Sequence, residues 1–137
     1  MSYAGDLTPR EAWAVLSEDP DAVLVDCRTS AEWNFVGVPE VSSLGKHTIY
    51  VEWLSFPGGD VNPTFVPQLR AAGIDDEAQV LFLCRSGQRS IAAAEAATAA
   101  GIAKAYNILD GFEGGLDAQG HRGSTGWRAE GLPWRQA

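Results

Sequence analysis

The chain has 137 residues, of which 45% are hydrophobic and 20% are charged, and this is typical of one globular domain spanning residues 1–137. The composition excludes collagen, a coiled coil and wholesale disorder. The formal net charge is −8 and no basic stripe is present, which argues against nucleic acid as a partner.

Signals for a membrane, secretion or metal binding are absent from the sequence. Apolar runs stay below the 18 residues of a transmembrane helix, and the first 20 residues lack the apolar centre of a signal peptide. Cys27 and Cys84 cannot form a disulfide framework, and with His47 and His121 they match no zinc spacing. We therefore expect a cytoplasmic protein with reduced thiols, no metal and no membrane partner.

Helix and strand signals alternate along the chain. In order, they predict a strand near Tyr3, a helix from Pro9 to about Ser17, a strand over Ala22–Val25, a short helix at Ser30–Trp33, a strand over Thr48–Val51, a helix beginning at Asn62–Pro63 and stopped by Gly73, a strand over Gln79–Leu83, a helix over Ser90–Ala100 and a strand over Ala105–Ile108. The alternation predicts an α/β fold with a parallel sheet of about five strands and helices on both faces.

Local signals support these boundaries. Thr8 can cap the first helix, Pro9 suits its first position and Glu11 completes a capping box. The run Gln79–Leu83 is apolar almost throughout, as in strands buried on both faces. The stretch from Gly111 to Gly126 holds six glycines and predicts an ordered surface loop.

The sharpest chemical feature is the segment that follows Gln79–Leu83. Cys84 ends this strand, and a short loop containing Gly87 leads directly into a helix. A helix N-terminus and inward-turned loop amides both favour an anion, and Arg85 and Arg89 add positive charge. These influences stabilise a thiolate, so Cys84 is the predicted nucleophile and its substrate is expected to be anionic.

A second reactive segment ends the Ala22–Val25 strand. Asp26 and Arg28 alternate with Cys27, so their side chains are expected on one face and the Cys27 thiol on the other. An Asp26–Arg28 ion pair that braces the site is favoured over a direct role in catalysis. Cys27 is expected to be a core residue, with a resolving thiol as the alternative.

Taken together, these segments resemble those of single-domain rhodaneses, a family of sulfurtransferases. The matching segments are Leu24–Arg28 (the D-x-R segment), Glu32–Trp33 and Val36–Pro39 (the E-[FW]-x(2)-G segment and its continuation), Cys84–Ser90 (the active-site loop) and Gly131–Pro133 (a frequent ending). The thiol of Cys27 stands where the family often has an aliphatic residue.

The resemblance implies a mechanism and a set of partners. Cys84 would take the outer sulfur of a small anionic donor such as thiosulfate and carry it as a persulfide to cyanide or a thiol, including a thiol on a protein. Donor binding is implied for the loop residues Arg85, Ser86, Gly87, Gln88, Arg89 and Ser90. The resemblance implies no metal and no organic cofactor.

Two other functions are compatible with a cysteine at a strand end. One is a persulfide carrier with little activity toward thiosulfate. The other is a cysteine-dependent phosphatase, a class that uses a C-x5-R loop. Cys84 and Arg89 are separated by only four residues, and this favours sulfur over a phosphoryl group.

Overall fold

A computed structural model describes residues 3–55 and 58–136. Its elements are β1 (Gly5–Leu7), α1 (Pro9–Glu18), β2 (Val23–Asp26), α2 (Ser30–Phe35), β3 (Val38–Pro39), β4 (Ile49–Tyr50), α3 (Phe65–Ala71), β5 (Val80–Leu83), α4 (Arg89–Ala99), β6 (Ala105–Ile108) and β7 (Trp134–Arg135). Each predicted helix and strand is confirmed, with boundaries shifted by three residues at most. No helix in the described ranges is long and apolar enough to cross a membrane.

The main sheet has five strands in the order β1-β6-β5-β2-β4, and all of its pairings are parallel. This confirms the predicted α/β fold. In the central pair, Asp26 of β2 lies in register with Leu83 of β5. The residues that follow, Cys27 and Cys84, therefore leave the same edge of the sheet side by side.

Helices cover both faces of this sheet, as predicted. Ala12 and Leu16 of α1 pack on one face, while α3 and α4 pack on the other. The alanines of α4 at 93, 94 and 97 are fully buried, because their small side chains let the helix lie close to the strands. The predicted capping box at Thr8 and Glu11 is present at the start of α1, and Thr29 and Glu32 form a second one at the start of α2.

Two features differ from the predictions. β3 and β7 form a small antiparallel ribbon that the sequence did not predict, because two-residue strands have no readable periodicity. The glycine-rich stretch is not simply a surface loop, since Gly111, Gly114 and Gly126 are buried. A Cβ on Gly111, whose φ is 57°, would lie 2.3 Å from the Cys84 carbonyl oxygen, so this stretch packs directly beneath the reactive segment.

Candidate active site

The Cys84 sulfur lies inside a loop that curls around it between β5 and α4. The Gly87 N–H donates to Sγ at 3.1 Å and the Ser90 N–H at 3.4 Å, while the Ser90 hydroxyl lies 3.1 Å from Sγ. The residue is 1% exposed. Two main-chain donors of the loop therefore converge on one sulfur atom, in the arrangement expected from the sequence.

The Cys84 sulfur also accepts a hydrogen bond from the N-terminus of α4. Gln88, at the capping position, makes no side-chain hydrogen bond to the helix. The Ser90 N–H lies in the first turn, where N–H groups have no intrahelical partner, and it donates to the Cys84 sulfur instead. Because this end of a helix favours negative charge, the same contact is suited to an anionic sulfur.

The turn at residues 110–113 holds the loop from the other side. The Cys84 carbonyl accepts the Phe112 N–H at 2.8 Å, and the Arg85 carbonyl accepts the Glu113 N–H at 2.9 Å. Gly87 has a φ of 99°, and a Cβ there would approach the Asp110 nitrogen to 3.3 Å. Glycine at position 87 therefore permits both the curl of the loop and its close contact with the turn.

The two loop arginines have different surroundings, although the sequence analysis treated them alike. Arg89 donates to both carboxylate oxygens of Glu32, at 2.7 and 2.9 Å, and these side chains are only 20% and 19% exposed. Burial raises the pKa of Glu32, but the Arg89 hydrogen bonds and charge outweigh it and hold this pKa below its ordinary value. Arg85 is exposed. The charge of Arg89 is thus paired with that of Glu32, whereas the Arg85 side chain is exposed.

Ser86 and Gln88 are the remaining loop residues with a predicted binding role. Ser86 is half-buried and Gln88 is exposed. A groove of about 500 Å³ adjoins the loop at Arg85 and Arg89. Besides these two arginines, the groove is lined mainly by apolar or neutral residues. They are Thr29, Ala31, Phe35, Val36, Leu54, Ser55 and Gly59, together with the acidic Glu32.

Asp26 and Arg28 form the predicted ion pair, and both side chains are fully buried. Arg28 also donates to the Gly37 carbonyl at 2.7 Å, and its guanidinium lies 4.3 Å from the centre of the Phe112 ring. Because the Phe112 N–H holds the Cys84 carbonyl, the pair braces the reactive loop through the 110–113 turn. The structure supports a bracing role for this pair.

Cys27 lies on the opposite face of β2 from the ion pair, as predicted, within the core. Its thiol donates to the Leu83 carbonyl at 3.3 Å. Burial raises the pKa of Cys27 well above its ordinary value, with the nearby Cys84 and Asp26 acting in the same direction. Neither cysteine is in a disulfide, and the raised pKa of Cys27 favours its protonated form.

Sequence reasoning missed the roles of three residues that support the loop directly or through a neighbour, namely Glu32, Asn107 and Asp6. Glu32 holds Arg89, as described above. Asn107 of β6 accepts the Ser90 hydroxyl at 2.5 Å and donates to the Asp6 carboxylate at 3.0 Å. Asn107 interrupts an otherwise apolar strand, and an isolated amide in such a strand is the signal that could have revealed it.

No metal centre is formed in residues 3–55 and 58–136, which contain no group of three or more histidine, cysteine, aspartate or glutamate side chains able to hold an ion. His47 and His121 are exposed, away from the buried Cys27 and Cys84.

The sequence and the fold of this chain are similar to those of several known proteins. A family model described as the STR4 middle domain matches residues 5–137. The crystal structure of Rv0390 from M. tuberculosis is 62% identical, with a TM-score of 0.91 over 98% of this chain and 99% of that one. The solution structure of the polysulfide-sulfur transferase homodimer from Wolinella succinogenes is 28% identical, with a TM-score of 0.64 over 96% of this chain and 78% of that one. The chloroplastic rhodanese-like domain-containing protein 4 of Arabidopsis thaliana is 29% identical over 91% of this chain and 24% of its own length.

Proposed function

The chain belongs to the rhodanese-like family, a sulfurtransferase-type family, and from that premise we propose that it moves sulfane sulfur from a small anionic donor to a thiophilic acceptor through a persulfide on Cys84. The observation that carries the proposal is the convergence on the Cys84 sulfur of the Gly87 and Ser90 N–H groups. Such donors stabilise negative charge that develops on sulfur during the transfer.

In the first step, the Cys84 thiolate attacks the outer sulfur of thiosulfate. A Cys84–sulfur bond forms and the sulfur–sulfur bond of the donor breaks. Sulfite leaves with the bonding electron pair, and Cys84 retains a persulfide. Because Cys84 is 1% exposed, a donor with a terminal sulfur, which presents a single atom, fits the loop better than a bulkier electrophile.

In the second step, the acceptor attacks the outer sulfur of the persulfide. Cyanide takes this sulfur as thiocyanate, and Cys84 is returned as the thiolate. A thiol acceptor leaves as a persulfide in the same way. The groove of about 500 Å³ beside the loop is in the size range of organic ligands, so it supports a thiol with an organic body as the natural acceptor.

Binding of the donor's anionic end is assigned to Arg85 in this proposal. Arg85 lines the groove and is exposed, whereas the charge of Arg89 is engaged by Glu32. Thiosulfate and polysulfide are both anionic donors with terminal sulfur, and the polysulfide-sulfur transferase of Wolinella succinogenes makes the second worth testing on this chain.

The experiment that tests the proposal is intact-mass spectrometry after exposure to thiosulfate, polysulfide or an aryl phosphate. We expect a 32 Da adduct on the native protein with a sulfur donor, and loss of that adduct when cyanide is added. Thiocyanate formation is measured on the same samples. Cys84→Ser is expected to fold, as judged by circular dichroism, and to form neither adduct nor thiocyanate.

Substantial thiocyanate formation by pure Cys84→Ser protein would overturn the assignment of Cys84. A phosphoryl adduct on the native protein, without a sulfur adduct from either donor, would overturn the sulfurtransferase proposal as a whole. Cys27→Ser is the matched control, because it removes the other thiol from the same edge of the sheet and is expected to retain the adduct.

A further inference from the structure

A chain of polar side chains runs from the Cys84 sulfur through the core to the surface. Sγ lies 3.1 Å from the Ser90 hydroxyl, this hydroxyl lies 2.5 Å from Asn107 Oδ1, and Asn107 Nδ2 lies 3.0 Å from Asp6 Oδ1. Ser90 and Asn107 are buried, and Asp6 is exposed. The chain crosses from α4 to β6 and β1, where Asp6 and Asn107 lie in register.

The charge of Asp6 fixes the direction of every hydrogen bond in this chain. A carboxylate only accepts, so the Asn107 amide presents its NH₂ group to Asp6 and its oxygen to Ser90. The hydroxyl proton of Ser90 therefore lies between two oxygens and is given to Asn107. Asp6 also accepts the Tyr3 hydroxyl at 2.8 Å, and this bond raises the pKa of Tyr3, as expected beside a negative carboxylate.

As a result, Ser90 offers the Cys84 sulfur a lone pair rather than a proton. A thiol satisfies this contact by donating its own proton to the serine oxygen. A thiolate cannot donate, so the serine must turn toward it and leave the buried Asn107 oxygen without its donor. The main-chain N–H groups of Gly87 and Ser90 favour the thiolate, and the side-chain network opposes it.

We propose that Asn107, oriented by Asp6, is a positioning residue that directs the Ser90 hydroxyl away from Cys84 and so holds the resting nucleophile in its thiol form. Its significance for sulfur transfer rests on the function proposed above. The nucleophile is then freed when the serine turns as a substrate enters the loop. No covalent change is involved, because only the serine hydroxyl rotates.

The test measures the pH dependence of Cys84 alkylation by iodoacetamide, followed by intact mass. Asn107→Leu removes the acceptor of the Ser90 hydroxyl, which becomes free to donate to Cys84. We expect the pH of half-maximal alkylation to fall by about one unit, a tenfold larger thiolate-to-thiol ratio at a given pH. In a Ser90→Ala background, the same Asn107→Leu change is expected to leave that pH unshifted.

A second variant keeps the proposal testable if Asn107→Leu does not fold. Asp6→Asn, on an exposed residue, lets the Asn107 amide turn either way and is expected to give a smaller shift in the same direction. Asp21→Asn is the control, because it removes one negative charge from the opposite end of the sheet. Arg89 and Cys27, which interact electrostatically with Cys84, are unchanged in every variant.

An unshifted or raised alkylation pH in folded Asn107→Leu would overturn the proposal, and so would a full shift in the absence of the Ser90 hydroxyl. If Asn107→Leu is unfolded, an unshifted alkylation pH in Asp6→Asn would overturn the proposal instead. Because alkylation requires no sulfur donor, these outcomes are independent of the proposed function. If Asn107→Leu shows the expected fall in the alkylation pH but the native protein forms no persulfide, only the proposed sulfur transfer is refuted.

Discussion

Cys27 and Cys84 show how strongly the immediate surroundings decide the chemistry of one residue type. They follow neighbouring strands in register, and each is almost fully buried. The Cys84 sulfur receives two main-chain N–H groups, whereas the Cys27 thiol meets a carbonyl oxygen to which it must donate. Main-chain donors stabilise an anionic sulfur, so Cys84 is better suited than Cys27 to act as a nucleophile.

We expect Cys27→Val to transfer sulfur at the native rate and to unfold with a free energy within about 1 kcal/mol of the native value, because valine fits an apolar site of this size. The measurements are thiocyanate formation and urea denaturation. A large loss of transfer, or a Cys27–Cys84 disulfide in native protein after mild oxidation, would instead identify Cys27 as a resolving thiol.

The surroundings of Arg85 and Arg89 also differ, since Arg85 is exposed and Arg89 is paired with Glu32. We expect Arg85→Ala to raise KM for thiosulfate about two- to fivefold with little change in kcat, because an exposed ion pair contributes up to about 1 kcal/mol and is made equally in the ground and transition states. Steady-state kinetics of thiocyanate formation measure both constants.

Lys104→Ala, which removes an exposed cation before β6, is the control for charge alone and is expected to leave KM nearly unchanged. A collapse of kcat at saturating thiosulfate in Arg85→Ala would show that Arg85 acts on the transition state and not on donor binding.

At the scale of elements, the site depends on how the loop between β5 and α4 is closed. On the inside of the loop, two N–H groups donate to the Cys84 sulfur. On the outside, the loop is hydrogen-bonded to the turn at residues 110–113. Four residues between Cys84 and Arg89 leave the donors converging on one sulfur atom. A phosphoryl group needs its oxygens met by several donors at about 2.7–3.1 Å, which requires a wider loop.

One inserted glycine after Gly87 is therefore expected to reduce sulfur transfer by about 100-fold, because displacing preorganised donors by about 1 Å has an effect of that size. The wider loop is expected to permit weak hydrolysis of aryl phosphates, which the native protein should not hydrolyse above background. Both activities are assayed on the same preparations.

A glycine inserted after Gly120, in an exposed turn, is the control and is expected to change neither activity. Faster turnover of aryl phosphates than of thiosulfate by the native protein would show that the loop-length argument is wrong, and the phosphatase hypothesis would then replace the sulfurtransferase proposal.

At the scale of the whole molecule, the features that were predictable from sequence are those with local signals. The capping box at Thr8, the apolar run before Cys84 and the alanines before Gly101 each indicate one element, and the alternation of elements indicates the parallel sheet. Contacts between distant segments could not be predicted in this way. Glu32 and Arg89 are 57 residues apart and Asp6 and Asn107 are 101 apart, and no local pattern records which partner each one finds.

The Glu32–Arg89 pair joins α2 to α4 and so contributes to the stability of the whole fold. Since the pKa of Glu32 is lower in the folded chain than its ordinary value of 4.5, the unfolded chain binds more protons as the pH falls through this range. The contribution is complete above the unfolded pKa and is lost as the pH falls through the folded pKa. We therefore expect the native protein to lose the stabilising contribution of the Glu32–Arg89 pair at acidic pH.

We expect Glu32→Gln to lower the free energy of unfolding at pH 7 by about 1–2 kcal/mol, because it removes a charged partner from half-buried hydrogen bonds while glutamine retains the capping role. This difference should shrink as the pH falls below the ordinary carboxyl pKa of 4.5 and vanish below the lowered pKa of Glu32 in the folded protein. Urea denaturation followed by circular dichroism at pH 7 and at lower pH measures it. Glu11→Gln, at the equivalent capping position of α1 but exposed, is the control and should show only a small difference at pH 7. A Glu32→Gln difference that stays constant from pH 7 to pH 3.5 would show that the charge of Glu32 contributes nothing to the pair.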